Sequence, residues 1–299
     1  MKGANSLIYK IKAWKVSNMT DKYEDGKQAV DYKDMAPGDV RALIRSGVIT
    51  GQTSGMCDGY AQANLVVLPR NLAFDFLLFA FKNPKSCPLL EVTNAGDRLL
   101  TEIADHADIA TDIPQYRIYE KGVLTGEYTD VSSFWRDDLV SFLIGCSFSF
   151  EGELLSADVP VRQIEENCNV PMYKTNIPCK SAGVFHGNMV VSMRPIPYEL
   201  VPKAVLVTGA MPRVHGAPVH IGNPEAIGIR DINHPDFGDM VTIKEGEVPV
   251  FWPCGVTPQS VIMDSKPDFC ITHSPGHMFV TDVKNVNLKS TLLSIYQRI

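Results

Sequence analysis

The sequence lacks an apolar run long enough to cross a bilayer. Its longest runs, Phe76–Phe81 and Leu139–Ile144, hold six residues each, whereas a spanning helix needs about 20. It also lacks a basic excess, since 28 Lys and Arg face 34 Asp and Glu for a net charge of −6. Nucleic-acid binding requires a clustered basic surface. These two absences predict a protein that binds neither membranes nor nucleic acids.

No CxxC pair occurs among the seven cysteines, and their number is odd. The segment Met1–Ser17 has neither the apolar stretch and small-residue cleavage site of a signal peptide nor the arginines of a transit peptide. Cysteines in such a chain are expected to be reduced thiols. The sequence therefore predicts a cytoplasmic protein.

Nucleotide and metal motifs are missing as well. The loop Gly51-Gln52-Thr53-Ser54-Gly55 can approach a ligand with its backbone, but no Gly-Lys-Ser/Thr follows it. There is no HExxH. His215 and His220 are five residues apart, and His273 and His277 are separated by Pro275-Gly276, which prevents a shared helical face. We expect no metal and no organic cofactor, although the two histidine pairs could still meet in space as a metal site.

What the sequence does contain is enough apolar residues, 45% of 299, for a large core. A buried strand over Asn64–Pro69, a helix over Leu72–Lys82 and a second buried strand over Pro88–Thr93 follow one another. Continuous apolar strands that alternate with helices are typical of a parallel sheet. The predicted fold class is α/β, a mostly parallel sheet sandwiched by helices, with an inserted smaller α+β two-layer domain.

The predicted domains follow from a change of pattern near residue 112. Residues 1–35 are an N-terminal extension, 36–111 and 213–299 form a discontinuous α/β sandwich domain, and 112–212 form the inserted α+β domain. The insertion begins with a hairpin around Glu120-Lys121-Gly122. Further strands are predicted at Val170–Thr175, Met189–Arg194, Pro218–Gly222, Val248–Trp252, Phe269–Thr272 and Met278–Asp282.

The stretch Asp137–Glu151 contains the central group of candidate site residues. Leu139, Phe142 and Leu143 have helical spacing, and two acids at the start suit a helix N-terminus. Cys146, Ser147, Ser149 and Glu151 then follow between aromatic residues. Such polar groups are costly to bury without partners, which a ligand could supply. The alternative is a buried helix with small residues packed at its end.

Other candidates follow predicted strands, where α/β sheets bind ligands. His273 is the candidate catalytic base, because imidazole titrates near neutral pH. Cys254 precedes Thr257-Pro258-Gln259, a pattern typical of a capped helix N-terminus that favours a reactive thiol. Hydrogen-bonded strand-end histidines and inert buried thiols are the alternatives.

Other residues are candidates for binding a carboxylate group of the substrate. Arg194 follows a predicted strand and could pair bidentately with a substrate carboxylate, or else form a structural ion pair. Thr175 and Asn176 are neutral partners for the same role. Gln62 and Asn64 lie on one side of the first strand by alternation.

Several long segments resemble the D-glutamate cyclase family, many of whose bacterial members carry only the label "putative hydro-lyase". These segments include Gln62-Ala63-Asn64-Leu65, Phe142–Glu151, Val190–Pro195, His215–Gly222, Pro249–Gln259 and Ile271–Met278. The resemblance covers about residues 36–283, and motifs of this length in this order are highly specific for the family.

The resemblance implies a two-part α/β fold and a lyase that removes water from a small amino or hydroxy acid, most sharply in cyclisation of D-glutamate to 5-oxo-D-proline. In that reaction Arg194 would hold a carboxylate, while His273 or His277 would move a proton. Hydroxyls would stabilise the oxyanion, and Glu151 would act as acid or base. The predicted catalytic set is His273, His277, Cys254, Cys146 and Glu151, and the binding set is Arg194, Ser147, Ser149, Thr257, Gln259, Gln62, Asn64, Thr175, Asn176, His215 and His220.

Two other functions are compatible with the sequence. One is a cysteine-dependent hydrolase or amidase that uses Cys254 or Cys146 with a histidine. The other is a non-catalytic module that binds a carboxylate metabolite. Each reading gives the chain a small-molecule carboxylate as its ligand, and each leaves a homo-oligomer possible.

Overall fold

The apolar runs fold into antiparallel sheets with helices packed against them. The computed structural model describes residues 32–289. The α-helices in that range are α1 (Pro37–Arg45), α2 (Arg70–Lys82), α3 (Phe148–Ser156), α4 (Arg162–Glu165), α5 (Val201–Gly209) and α6 (Thr257–Ser265). The strands are β1 (Tyr60–Pro69), β2 (Leu89–Val92), β3 (Leu99–Leu100), β4 (Ala107–Asp108), β5 (Tyr116–Glu120), β6 (Val123–Tyr128), β7 (Leu139–Gly145), β8 (Met172–Pro178), β9 (Asn188–Pro197), β10 (His220–Ile221), β11 (Glu247–Pro253), β12 (Cys270–His273) and β13 (Phe279–Lys284).

The large sheet has seven strands in the order β2-β7-β1-β12-β5-β6, with β13 also paired to β1. Every pair in it is antiparallel. Its central strand β1 pairs with β7 in a register that sets Asn64 opposite Ile144 and Ala63 opposite Gly145. The end of β7 therefore lies beside the middle of the sheet, next to Asn64.

The small sheet has the order β10-β11-β9-β8 and is also antiparallel. In it Arg194 of β9 lies opposite Val250 of β11. The short pair β3–β4 forms a separate two-stranded ladder. The small sheet thus brings Arg194 close to the strand that leads to Cys254.

The predicted mostly parallel sheet is wrong, because every strand pair between residues 32 and 289 is antiparallel. The physical reason lies in β1, which carries apolar cores on both faces. Leu65 and Val67 belong to one core, and Val66 and Leu68 to the other. Burial on both faces makes a strand continuously apolar whatever the direction of its neighbours.

The helix predicted at Leu139–Ile144 is also wrong, since these residues form β7 and the helix begins only at Phe148. Every residue of β7 is buried, so its side chains show no alternation that would reveal a strand. The helix predicted after Cys254 is confirmed, but Thr257 is its first residue rather than its cap. The predicted hairpin around Glu120-Lys121-Gly122 is confirmed as β5–β6.

Segment 112–212 contributes strands to both sheets, β5 to β7 to the large one and β8 and β9 to the small one. Its status as an inserted domain stays a prediction. Most of the predicted N-terminal extension, residues 1–31, lies outside the described residues. Between residues 32 and 289, no helix combines the length and the apolarity that a membrane span requires.

One apolar cluster joins the two sheets. It holds Phe150 and Leu154 of α3, Ala204 of α5 and Trp252 of β11. Phe150 and Trp252 are 5.7 Å apart between ring centroids. Helix α3, which follows β7, therefore packs against β11, and a cysteine follows each of these two strands.

Candidate functional site

The candidate site consists of two turns that have the same local design. The Cys146 turn, Gly145-Cys146-Ser147, connects β7 to α3. The Cys254 turn, Cys254-Gly255-Val256, connects β11 to α6. Backbone N–H groups point at each thiol, that of Phe148 at Cys146 and those of the next two residues at Cys254. Each turn therefore sets a thiol at the positive end of a nine-residue helix.

The side chain of Asn64 lies between the two turns. Its Nδ2 donates to the carbonyls of Ile144, at 3.2 Å, and Gly145, at 3.0 Å. A Cβ added to Gly255 would fall less than 3.0 Å from the same amide. The two thiols also interact electrostatically, because the charge of Cys254 would raise the pKa of Cys146. We call the two turns together with Asn64 the two-thiol site.

Burial governs the protonation of both thiols. It raises the pKa of Cys254 to about 11 and raises the pKa of Cys146 still further. Backbone N–H groups and the nearby Arg194 charge oppose these shifts without overcoming them. Each of the two cysteine residues is 6% exposed, and both thiols are neutral at physiological pH. Neutral S–H groups suit proton exchange better than nucleophilic attack, which requires the thiolate.

Arg194 of β9 lies fully buried beside the two-thiol site and forms an ion pair with Glu151 of α3. Its guanidinium also donates to Ser192 Oγ at 3.1 Å and to Ser147 Oγ at 3.3 Å. Its Nε has no hydrogen-bond partner among the described residues. The carboxylate of Glu151 largely neutralises Arg194, and these bonds use three of its five N–H groups. Two N–H groups, one of them on Nε, remain for a ligand.

Aromatic rings and an amide complete the surroundings of this ion pair. The guanidinium lies 4.9 Å from the ring centroid of Phe150 and 5.6 Å from that of Trp252. Gln163 Nε2 donates to Glu151 at 2.7 Å. The sequence reasoning missed Gln163 and Ser192. Gln163 lies on the short α4, where no motif marks it, whereas alternation along β9 sets Ser192 on the same side as Arg194 and could have identified it.

His215 is a buried neighbour of the Cys146 turn. Its Nδ1 lies 2.7 Å from the carbonyl oxygen of Lys85, and the Gly145 carbonyl is also close to the ring. Burial lowers the pKa of His215 to about 4, so the imidazole is neutral. Its Nε2 has no partner within the described chain. His215 thus lies next to the Cys146 turn, and its Nε2 is available for a further hydrogen bond.

His273 is the last residue of β12 and lies buried within the large sheet. Its Nδ1 accepts the backbone N–H of Leu65 at 3.1 Å, and burial lowers its pKa to about 4. Gln259 Nε2 donates to the His273 carbonyl at 2.9 Å and ties α6 to β12. His277 is half-buried, with Nδ1 3.0 Å from the Pro275 carbonyl. The predicted role of His273 as base stays a prediction, but its Nδ1 already accepts a hydrogen bond from the backbone of β1.

Several other predicted binding residues have side chains already engaged in the fold. The hydroxyl of Thr257 donates to the Cys254 carbonyl at 2.7 Å. Ser149 Oγ accepts the backbone N–H of Gln62 at 3.1 Å. The Gln62 amide itself bonds to Thr53 at 2.8 Å. These side chains shape the walls of the site rather than its open surface.

The remaining predicted residues lie elsewhere. Thr175 Oγ1 donates to the Met189 carbonyl at 2.7 Å, and Asn176 is exposed on the small sheet. His220 contacts the Phe251 ring and lies 2.7 Å, through Nε2, from the Asn223 carbonyl. Nowhere in residues 32–289 do three or more His, Cys, Asp or Glu side chains meet as a metal site. The two histidine pairs therefore do not come together as a cluster of three or more such side chains within these residues.

A surface groove of about 520 Å³ lies apart from the two-thiol site. It is lined by residues of α2, β5 and the segment after α6, including Leu72, Arg136 and Phe269, and by none of the predicted site residues. Its walls carry no buried unpaired polar group. The convergence of thiols, N–H groups and an ion pair makes the two-thiol site the better candidate.

The fold and this geometry define a mixed α and β protein in which two buried thiols and a buried ion pair lie near one another between two antiparallel sheets. The D-glutamate cyclase family model matches residues 140–282. A "Putative hydro-lyase" of Clostridium beijerinckii is 69% identical over 260 residues, which are 87% of this chain and 99% of that protein. One from Thermoanaerobacter sp. is 62% identical over 258 residues, 86% of this chain and 97% of that protein. The chain belongs to the D-glutamate cyclase family.

Among solved structures, a nitrogen repressor-like protein from Methanococcus jannaschii covers 81% of this chain and 97% of its own. The TM-score is 0.34 and the identity 11%. A similarity this low carries no argument about fold or function.

Proposed function

We propose that this protein is a hydro-lyase that cyclises D-glutamate to 5-oxo-D-proline with loss of water. Family membership and relatives named "Putative hydro-lyase" support the class of reaction. The observation that carries the proposal is a pair of neutral, electrostatically coupled thiols, Cys146 and Cys254, at the N-termini of two helices.

The proton balance of the reaction matches this pair. The ammonium of glutamate loses two protons as nitrogen attacks the γ-carboxylate carbon, and the departing oxygen needs two protons to leave as water. A neutral thiol can give its proton to that oxygen, and the resulting thiolate can take one from nitrogen. Two thiols that each act once move both protons and end neutral. General acid–base help of this kind contributes about 10²–10⁴-fold to a rate.

The substrate carries two carboxylates, and the site offers two positive helix ends. Backbone N–H groups at the starts of α3 and α6 are suited to bind these anions. The Nε–H of Arg194 is a further donor without a partner. We assign Arg194 mainly to the electrostatic field of the site, because Glu151 already pairs with it. No step in this balance requires a metal or an organic cofactor.

The cysteine-dependent hydrolase is less well supported, because burial raises the pKa of both thiols and so disfavours the nucleophilic thiolate. A carboxylate-binding module would use the same helix ends without turnover. It predicts stabilisation by ligand and no product.

A proton NMR time course with D-glutamate, L-glutamate and a panel of hydroxy acids tests the proposal. We expect 5-oxoproline from the D isomer alone. Cys254→Ser and Cys146→Ser should each reduce the rate by about 10²-fold. Cys270→Ser, at a buried thiol of the large sheet outside the site, is the matched control and should retain the rate.

Three outcomes would change the assignment. Full activity in both site variants would remove the thiols from the proton transfers. Loss of water from another acid would support the hydro-lyase class but assign a different substrate. Thermal stabilisation by D-glutamate with no product over long incubation would favour the binding module.

A further inference from the structure

His215 is a fully buried histidine with one ring nitrogen that has no hydrogen-bond partner. Its Nδ1 lies 2.7 Å from the carbonyl oxygen of Lys85. A carbonyl group can only accept, so Nδ1 carries the proton and donates it. Burial lowers the pKa of the imidazole to about 4 and keeps it neutral, which leaves Nε2 with a bare lone pair. Among residues 32–289 no donor reaches that lone pair.

The backbone fixes the place of this ring. His215 follows the short 3₁₀ turn Pro212–Val214 and has a left-handed conformation, with φ at 81°. Such a conformation is strained for a residue with a Cβ and clusters at functional sites. The turn lies directly against the end of β7 because Gly145 has no side chain, and a Cβ there would fall less than 3.0 Å from the Arg213 carbonyl. The ring is therefore held beside the Cys146 turn.

The free nitrogen of His215 has a counterpart on Arg194. The guanidinium interacts electrostatically with the imidazole, and its Nε–H also lacks a partner within the described chain. The Gly145 carbonyl, which is close to the ring, keeps one lone pair besides the one that Asn64 uses. Buried polar groups without partners are costly. The arrangement thus fits a ligand that supplies donors to one side and an acceptor to the other.

An α-amino acid carries both kinds of group on one carbon atom. Its carboxylate can accept from the Arg194 Nε–H, and its ammonium can donate to His215 Nε2 with protons left for the Gly145 carbonyl. A carboxylate alone fits less well, because a second acceptor cannot pair with a lone pair. An imidazole with so low a pKa holds the ammonium without taking its proton, so proton transfer is left to the thiols.

We propose that His215 binds the amino group of an amino-acid substrate through Nε2 and so selects amino acids over acids that lack this group. The inference rests on the proposed cyclisation for the identity of the acid, D-glutamate, but not for the contact itself. It gives the substrate nitrogen a place next to the Cys146 turn. It also makes His215 a residue that decides specificity, beyond the acid–base role of the thiols.

Calorimetric titration of D-glutamate and of glutarate tests the proposal, because glutarate has the same two carboxylates and no amino group. The full chain is used in a Cys254→Ser background, where slow turnover preserves the ligand. D-glutamate should bind at least about tenfold more tightly than glutarate, as a hydrogen bond to a charged group provides. His215→Asn keeps the donor to Lys85 and tolerates the left-handed backbone. It should abolish the preference and leave glutarate binding unchanged.

Two further substitutions separate the contact from the fold. His106→Asn is the matched control, because His106 also has a left-handed backbone, with φ at 50°, but is exposed. It should leave the preference unchanged. His215→Gln sets an amide oxygen near the position of Nε2 and should restore part of the preference. Equal weakening of both ligands by His215→Asn would overturn the proposal, because it would mean that His215 only supports the structure.

Nitrogen NMR of the full chain labelled at histidine observes Nε2 directly. The His215 resonance is assigned by its absence from His215→Asn, and D-glutamate should shift it whereas glutarate should not. A resonance that D- and L-glutamate and D- and L-aspartate all leave in place would assign Nε2 to a buried water and overturn the contact. A shifted resonance without formation of 5-oxoproline would support the contact and overturn the cyclisation alone.

Discussion

The Cys146 turn and the Cys254 turn share one design but differ in what holds them. A Cβ on Gly145 would fall less than 3.0 Å from the Arg213 carbonyl, which is backbone. The three atoms nearest to a Cβ on Gly255 all belong to the side-chain amide of Asn64. The thiol of Cys254 has two N–H neighbours, against one for Cys146. The comparison indicates that the Cys146 turn is the rigid anchor of the site, whereas the Cys254 turn carries the more acidic thiol.

The largest effect is expected from the ion pair that links α3 to the small sheet. Glu151→Leu leaves the fully buried Arg194 without its counter-charge. Loss of one partner of a buried ion pair costs about 3–5 kcal/mol. Urea unfolding should report this loss in the free energy of unfolding.

The double variant Glu151→Leu, Arg194→Met is the control for that measurement. It removes both charges and should be clearly more stable than Glu151→Leu alone, since replacing a buried ion pair by apolar groups is often nearly neutral. Equal destabilisation of the two variants would contradict the account of Arg194 as an uncompensated charge.

The same substitution should affect the two turns to different extents. Gly145→Ala must displace the backbone at Arg213 and should cost about 2–3 kcal/mol, as overpacking of a core does. Gly255→Ala has only a side chain to displace and should cost less. Thermal unfolding of the two variants compares them directly.

Asn64 provides the control for this comparison. In an Asn64→Ala background the Gly255→Ala substitution should lose most of its cost, because the opposing amide is gone. The cost of Gly145→Ala should stay the same there. If Gly255→Ala were the more damaging change in the wild-type background, the assignment of the Cys146 turn as anchor would be wrong.

Protonation of His215, which lies next to the Cys146 turn, should make the stability of the protein depend on pH. Burial holds the pKa of His215 at about 4 in the fold, against 6.5 when unfolded. The unfolded chain therefore binds the extra proton first, and stability is lost as the pH falls from 6.5 toward 4. At pH 5 this amounts to roughly 2 kcal/mol for one such histidine.

His215→Asn should reduce this acid-side loss, because asparagine can still donate to Lys85 but binds no proton. His273 has a similar shift and should contribute an acid-side loss of similar size. Urea unfolding at pH 5 and pH 7 measures the difference between wild type and variant. An unchanged difference would mean that His215 does not titrate as its burial implies.

The positions of the strands were predictable from the sequence, but their direction was not. Apolar runs identify β1, β9, β11 and β12 because burial needs apolar side chains. Pairing direction depends on the connections between strands, and continuous burial conceals it. The same burial made β7 resemble a helix, since a strand with no solvent face has no alternation.

The site was predictable to a similar extent. Cys146 and Cys254 could be identified because glycine adjoins each at an element end. Their meeting in space could not, because it depends on how the two sheets pack. Nor could the sequence reveal that Glu151 neutralises Arg194 or that His273 bonds to the backbone of β1. Such contacts join residues 43 and 208 positions apart.

The smallest expected effect is a difference in alkylation between the two thiols, and it tests the comparison most directly. Iodoacetamide reacts with the thiolate, so each rate follows the fraction ionised. Cys254, with a pKa of about 11, should react faster than Cys146, whose pKa is raised further. Both rates should rise about tenfold per pH unit from pH 8 to 10, as peptide mass spectrometry can follow.

Cys168, which is only half-buried, should react before either and controls for reagent access. Arg194→Met should slow both site thiols, because the Arg194 charge lowers both pKa values. Faster labelling of Cys146 than of Cys254 would reverse the roles of the two turns and make Cys146 the first candidate for proton transfer.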